Sequence, residues 1–477
     1  MANVIFLQNL AMEHLGIMSL SAFLKERGHK VEARVLGQSP SALMLQDVVR
    51  DDPSLVAFSC TSGNHVWALH VAQELKRLAP NLPTLMGGPH PTFFPKVIQN
   101  PHLDFLCRGE GEETLLELCE HLDRGADPGQ IANLWLKRDG RVIENDLRPL
   151  IGNLDSLPFP DRSLYESSEL PHRTSRIFMT GRGCPFACTY CFNHSQKKMY
   201  AGKGQYVRRR SIPHVLAEIL REKDRGGWET VYFLDDTFSI HRPWLLEFLP
   251  AFRRQIGMPF ICLVSIESLD EILVRALSDA GCIRVFIGIE TGSEDMRKKI
   301  LKKRITNERL LQAIGWLKRF QIPFRSYNML GLPGETFALA CETVELNQKI
   351  ATDFPWCSLY FPYPGTELAE WAEKEKLVTG LWDGDAEPAS FFSRSLIQNP
   401  DRERLENLQK LFWYAVVFPW AWRFIKRLVR LPSNVLFSLL FYVSYAISLK
   451  QSEKMTWSEL FGVAWHNLRP MLGGGRK

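Results

Sequence analysis

The sequence predicts an α/β chain built as two successive βα domains followed by a helical C-terminal region. Two alternations and one change of composition carry that reading. Short apolar runs alternate with helix-period segments from the start to about residue 120, the order of a doubly wound, Rossmann-like parallel sheet. The alternation restarts near Arg176 and runs to about Leu377, giving about six βα units in series, the order of a partial (β/α)6 barrel. From about residue 400 the chain becomes aromatic-rich and partly basic, with Trp413, Trp420 and Trp422.

In the first domain, the apolar run 4–7 suits a buried parallel strand. A helix is expected from Ile17 to about Lys25, closed by Arg27-Gly28. Strands are expected over 31–35 and 55–59, with a helix over 65–78. The strand 82–86 ends in Gly87-Gly88, and the strand 103–107 ends in Gly109-Glu110-Gly111, with a helix from Glu113. Residues near 125–170 are rich in turn formers, carry Leu157-Pro158-Phe159-Pro160-Asp161, and read as a linker with a small hairpin around 131–143. In the second domain, strands over 176–179, 230–234, 260–265, 285–289, 323–329 and 356–361 alternate with helices such as 212–224, 269–280, 307–320 and 338–350. Functional loops are expected at the C-terminal ends of those strands. These readings divide the chain at 1–125, 126–170, 171–377 and 378–477.

A chain of 477 residues can bury a large core. With 45% hydrophobic and 23% charged residues, wholesale disorder is excluded. The net charge of +5 is small for this length and gives no reason to expect nucleic acid as the main partner. Ten cysteines show no regular framework, so a reducing cytoplasm is the expected compartment. The run 4–7 is too short for the apolar region of a signal peptide.

Just after the first barrel strand, Cys184, Cys188 and Cys191 stand in GRGCPFACTYCFNH, spaced C-x3-C-x2-C with no fourth cysteine nearby. Three thiolates can hold three irons of a [4Fe–4S] cluster and leave the fourth open. A cluster used only for electron transfer normally has all its irons capped, so an open iron is a place to bind a ligand. Two other readings compete. The spacing i, i+4, i+7 is that of one helix face, as for core cysteines, although Gly181, Gly183 and Pro185 oppose a helix there. His194 would complete a Cys3His zinc set.

Further along lies Phe233-Leu234-Asp235-Asp236-Thr237-Phe238, whose adjacent carboxylates could accept from a cationic amine or cap the next helix. Gly288-Ile289-Glu290-Thr291-Gly292-Ser293 offers close backbone approach and a carboxylate for a ribose hydroxyl, or plain turn chemistry. Gly331-Leu332-Pro333-Gly334-Glu335-Thr336 and Tyr363-Pro364-Gly365-Thr366 follow the last two strands.

Taken in this order, each after an expected strand, these segments resemble the radical SAM superfamily. Its cluster loop reads CxxxC-aromatic-C, with Tyr190 as the aromatic. The resemblance implies that S-adenosylmethionine chelates the open iron through its amino and carboxylate groups. It implies that Asp235 and Asp236 help to bind the methionine amino group, Glu290 the ribose, and Gly331 and Gly334 the adenosyl moiety. It also implies that one electron from the reduced cluster splits S-adenosylmethionine into methionine and a 5′-deoxyadenosyl radical, which takes a hydrogen atom from a substrate carbon. A flavodoxin or ferredoxin would supply that electron.

The aromatic-x-Asp-Asp segment, in place of Gly-Gly-Glu, resembles the branch that carries a cobalamin-binding domain. A doubly wound domain ahead of the barrel resembles that class too. The resemblance implies that Gly87, Gly88, Gly109, Glu110 and Gly111 accept the nucleotide tail or corrin edge of cobalamin; tight βα turns are the alternative. Domains that ligate cobalt through histidine carry Asp-x-His-x-x-Gly, whereas this chain has Met12-Glu13-His14-Leu15-Gly16, which leaves His14 as a surface or capping histidine.

In the C-terminal region Arg423, Lys426, Arg427 and Arg430 share one helix face, with Phe424, Ile425, Leu428 and Val429 mostly on the other. The apolar stretch 435–449 is shorter than the about 20 residues of a transmembrane helix. Peripheral contact with the inner face of a membrane and a packed cap on the barrel are both expected readings. The function expected from the resemblance is cobalamin-dependent methylation of an unactivated carbon in a small-molecule or lipid-like substrate. Non-methylating oxidation or cyclisation, as in the oxidative cyclase of Mg-protoporphyrin monomethyl ester, and a non-catalytic cobalamin-binding module are the alternatives. The sequence does not name the substrate.

Overall fold

The computed structural model describes residues 1–166, 174–363, 365–378, 394–452 and 456–457. The first sheet contains β1 (Asn3–Gln8), β2 (Lys30–Val35), β3 (Leu55–Ser59), β4 (Thr84–Gly87), β5 (Phe105–Cys107), β6 (Leu134–Arg138) and β7 (Arg141–Glu144). Its order is β2-β1-β3-β4-β5-β6-β7, with β1 to β5 parallel and β6 and β7 antiparallel. The first five strands follow the doubly wound 2-1-3-4-5 order, which reverses between β1 and β3 and opens a ligand crevice at the strands' C-terminal ends. The hairpin expected inside a linker is a correction: β6 pairs with β5 and extends the first sheet.

The period-2 pattern of β1 sets the two faces of this sheet. Val4 and Phe6 pack with Ile17, Leu24, Leu115 and Leu118, under the helices Leu15–Glu26 and Glu112–Arg124. Ile5 and Leu7 pack with Val48, Val71 and Leu75, under the helices Ala42–Arg50 and His65–Leu78. The helix Ala42–Arg50, started by Ser41, whose side chain accepts from the Met44 amide, was not anticipated.

The second sheet contains β8 (Ser175–Phe178), β11 (Thr230–Phe233), β12 (Phe260–Val264), β13 (Cys282–Glu290), β14 (Phe324–Leu330) and β15 (Phe354–Leu359). All neighbours are parallel, in the order β15-β14-β13-β12-β11-β8, and the two end strands do not pair. The sheet is therefore an open arc, as a partial barrel requires. A separate short pair, β9 (Gly181–Arg182) with β10 (Arg208–Arg209), leads into the cysteine loop.

The C-terminal helices Arg402–Val417 and Val435–Ser452 cover the β15 edge of the arc. Leu405, Leu408, Phe412, Val416 and Phe437 form one core with Leu330, Cys357 and Leu359. The basic helix runs from Trp422 to Leu428, and its faces divide differently from the expectation. Trp422, Ile425 and Val429 are buried, whereas Phe424 and Leu428 are exposed beside Arg423 and Arg427. Among the described residues no helix is long and apolar enough to cross a membrane.

Candidate active site between the two domains

Residues 183–188 form an irregular loop, and the helix Phe192–Met199 starts only after Cys191. The three cysteines therefore do not share a helix face, which removes the core-cysteine reading. Gly183 is held at φ 87°, and a Cβ there would collide with the Tyr206 carbonyl. The loop is pinned from below: the Thr189 amide donates to the Leu301 carbonyl at 3.2 Å, and its hydroxyl to the Ile300 carbonyl at 2.7 Å. Burial pushes the Cys188 thiol up to about 12, against the nearby charge of Lys303 and with that of Glu290. Among the described residues no three His, Cys, Asp or Glu side chains converge as a single-ion site. His194 Nε2 lies 3.0 Å from Glu367 Oε2, so that nitrogen is engaged with a carboxylate. Three cysteines with His194 Nε2 engaged elsewhere suit a [4Fe–4S] cluster that keeps one iron open. A bound cluster would supply the positive charge that buried thiolates need.

The two aspartates after β11 part company. Asp235 points into a buried network, accepting from the Thr180 hydroxyl at 2.7 Å, the Thr180 amide at 3.1 Å and Arg209 at 3.0 Å. Its carboxylate is engaged by these groups and does not line the central cavity, unlike the expectation of contact with S-adenosylmethionine. Asp236 instead lines the central cavity and accepts from Asn193 Nδ2 at 2.8 Å. Glu290, at the end of β13, adopts the left-handed region at φ 70° beside a break in register. That conformation is costly for a non-glycine residue and marks functional loops. Its carboxylate meets Lys303 Nζ at 3.0 Å, and a Cβ at Gly288 would collide with it. Tyr190 faces the same carboxylate, and its phenol is held well above the ordinary value, first by burial and then by Glu290.

Gly331 (φ 76°) and Gly334 (φ 79°) shape the turn after β14 and do not line the cavity. Glu335 ties this turn from within: its carboxylate accepts from the Gly331 amide at 2.5 Å and the Leu332 amide at 3.2 Å. Burial pushes that carboxyl up to about 8.

A cavity of about 520 Å³ opens between the domains. Gly87, Gly88, Gly109, Glu110 and Gly111 line it from the strand ends of the first sheet, and Leu20 and Leu115 from the helices above. Met179, Gly183, Phe192, Tyr206 and Asp236 line it from the arc. His14 also lines it, but as a capping residue: its Nδ1 accepts from the Ile17 amide at 3.4 Å and its Nε2 lies 3.4 Å from Ser59 Oγ. Burial lowers its basicity.

Two expected cobalamin contacts have another task as well. The Glu110 carboxylate accepts from Arg182 at 2.7 Å, Arg208 at 3.0 Å and the Ile151 amide at 2.9 Å. Burial opposes its charge, but the two arginines override that and hold its pKa low. Arg182 also reaches Glu112 at 2.6 Å. Glu110 thus joins the two domains while also lining the cavity. Gly109 leaves room for Tyr200, whose hydroxyl a Cβ would strike. The φ of 96° at Gly88, and the Cys60 backbone at 2.8 Å from a Cβ placed there, make that glycine a requirement of the turn itself.

Two sequence families meet at this cavity. The radical SAM superfamily profile matches residues 178–346, and the B12 binding domain profile matches residues 9–119. The chain is a radical SAM enzyme with a B12 binding domain. An uncharacterized methyltransferase of Pyrococcus horikoshii is 28% identical over 376 residues, 76% of this chain and 79% of the relative. Cytidylyl-2-hydroxyethylphosphonate methyltransferase of Streptomyces wedmorensis is 26% identical over 424 residues, 75% of this chain and 77% of the relative. The anaerobic magnesium-protoporphyrin IX monomethyl ester cyclase of Rubrivivax gelatinosus is 29% identical over 337 residues, 66% of this chain and 58% of the relative. In fold, the chain is similar to the radical SAM methyltransferase TsrM of Kitasatospora setae, solved with cobalamin and a [4Fe–4S] cluster, at a TM-score of 0.65 and 17% identity, over 90% of this chain and 99% of that one.

Several lining residues of this radical SAM enzyme escaped the sequence reading. Asn193 and Gln196 sit three apart on the helix after Cys191 and both accept from the Tyr206 hydroxyl, at 2.7 and 3.0 Å. Their i, i+3 spacing was a usable signal that they share a face. Phe93 stacks on Phe192 at 4.3 Å across the domain boundary, a pairing with no local signal.

Proposed function

We propose that this radical SAM enzyme transfers a methyl group to an unactivated carbon of a small, largely hydrophobic substrate, using cobalamin, S-adenosylmethionine and a [4Fe–4S] cluster. One observation carries the reading: a single cavity is walled by the strand ends of the B12 binding domain on one side and by Gly183 and Asp236 of the cluster loop region on the other. Cofactors held at those two walls share one chamber. When bound, they supply one-electron cleavage of S-adenosylmethionine and a transferable methyl group.

The chain's own residues do the rest. Cys184, Cys188 and Cys191 hold the cluster. Asp236 faces the cavity as a carboxylate for a cationic amine, steadied by Asn193. Glu290 is fixed by Lys303 and its left-handed backbone as an acceptor for hydroxyls. Gly87, Gly88, Gly109 and Gly111 let the first sheet's loops approach a flat ligand closely, and Gly331 and Gly334 shape the adenosyl-side turn. The apolar lining from Phe58, Phe93, Met179 and Phe192 suits a hydrophobic substrate and keeps water from a reactive intermediate. A flavodoxin- or ferredoxin-type donor delivers the electron.

The test is anaerobic purification with cobalamin supplied, followed by metal analysis and turnover with candidate substrates. Iron and cobalt together, and products heavier by one CH2 unit, are expected. Products that lose hydrogen or gain oxygen would assign the cyclase-like alternative. Cys184→Ala should abolish formation of 5′-deoxyadenosine while the fold persists by circular dichroism; retained cleavage would overturn the cluster assignment.

A further inference from the structure

We infer that the outward face of the C-terminal helices docks on the surface of an anionic phospholipid bilayer. Both helices concerned turn one apolar face inward. Trp422, Ile425 and Val429 are buried in the core shared with the helix Arg402–Val417, and Phe437, Phe441, Ser444 and Ser448 repeat along the buried side of the longer helix. Those contacts account for one apolar face. They do not account for the second. Trp420 is 70% exposed, Val435 85%, Leu436 60% and Tyr442 65%, and Phe424, Leu428, Leu431 and Leu439 are exposed with them. Large apolar side chains left in water in such number mark a contact surface.

The charge on this segment has one sign. Between Asn407 and Ser452 there are Lys410, Arg423, Lys426, Arg427, Arg430 and Lys450, and no Asp or Glu. Two of the cations are engaged inside the fold: Lys410 donates to Ser433 at 2.6 Å, and Lys426 lies 3.6 Å from Glu345 and over the Trp422 ring. Arg423, Arg427 and Arg430 are exposed, and among the described residues they form no ion pair. They alternate with the exposed Phe424, Leu428 and Leu431. The Arg423 guanidinium lies 4.6 Å from the Phe424 ring centre.

Arginines interleaved with aromatic and aliphatic side chains suit the boundary between lipid headgroups and acyl chains, where cations meet phosphates and rings enter the apolar layer. A second copy of this chain fits less well, because a two-fold contact through the face would set arginine against arginine. The surface lies on the membrane rather than in it, since no described helix can span one.

The test is flotation of the full-length protein with vesicles of phosphatidylcholine alone and with added phosphatidylglycerol. Binding is expected only to the anionic vesicles, weakening as salt is raised. Each arginine removed should lower the partition coefficient about five-fold, so Arg423→Gln with Arg427→Gln should lower it about 25-fold. Trp420→Ser with Leu436→Ser should also weaken binding, while the circular dichroism spectrum stays that of the parent because both side chains point outward. No binding to anionic vesicles, or equal binding by the parent and both double variants, overturns the inference. A dimer in light scattering that the Trp420→Ser, Leu436→Ser variant abolishes would assign the face to a second copy and overturn it too.

Discussion

Two neighbouring carboxylates show how position decides role. Asp235 and Asp236 are indistinguishable in sequence, yet one is sealed against Arg209 and Thr180 and the other faces the cavity. Asp235→Ala should leave Arg209 buried without its partner and destabilise the fold by about 3–5 kcal/mol, read by thermal unfolding of the apo-protein. Asp236→Asn should leave stability and iron content in place and weaken S-adenosylmethionine binding, read by calorimetry on the reconstituted enzyme; unchanged affinity would remove Asp236 from the site. Glu335 has a pH signature of its own. Its folded value of about 8 lies above the ordinary 4.5, so the folded chain holds a proton that the unfolded chain releases. Stability is therefore full below about pH 4.5 and declines as pH rises toward 8, by several kcal/mol at most. Glu335→Gln should flatten that decline when melting is compared at pH 5 and pH 8.5.

The elements were legible where one unbroken physical signal set their limits. The strand Leu55–Ser59 and the helix His65–Leu78 have the bounds read from sequence, because an apolar run bounded by polar residues and a clean helical period leave little choice. The pair β9 and β10 could not be read: Gly181–Arg182 and Arg208–Arg209 carry no apolar pattern, and their pairing is imposed by the loop between them. The hairpin was placed correctly along the chain but not in space. Nothing in residues 134–144 announces that β5 offers a free edge. The spacing of the cysteine loop left zinc and core readings open, and only the order of the later motifs pointed to a cluster, whereas the Asp235 network depends on Arg209, which lies 26 residues away.

For the whole molecule, the contact that joins the domains lies beside the cluster loop. Arg182 stands two residues before Cys184 and is clamped by Glu110 and Glu112 of the first domain. Seventy-two residues separate Arg182 from Glu110, so no local pattern could disclose the clamp. Glu110→Ala with Glu112→Ala leaves that arginine unpaired and should destabilise docking by about 3 kcal/mol. Two melting transitions should then replace a joint one in calorimetry; a single transition at the parent temperature would show that the clamp is dispensable.

The unpaired ends of the second sheet carry a mechanical consequence. A closed barrel has its radius fixed by strand number and shear, so it can widen only by breaking a ladder. Here β8 and β15 are free of one another, and every backbone bond of the sheet survives if the curve opens or tightens. The arc can work as a spring-jawed clasp, taking its gape from whatever lies across the domain boundary rather than from its own strands.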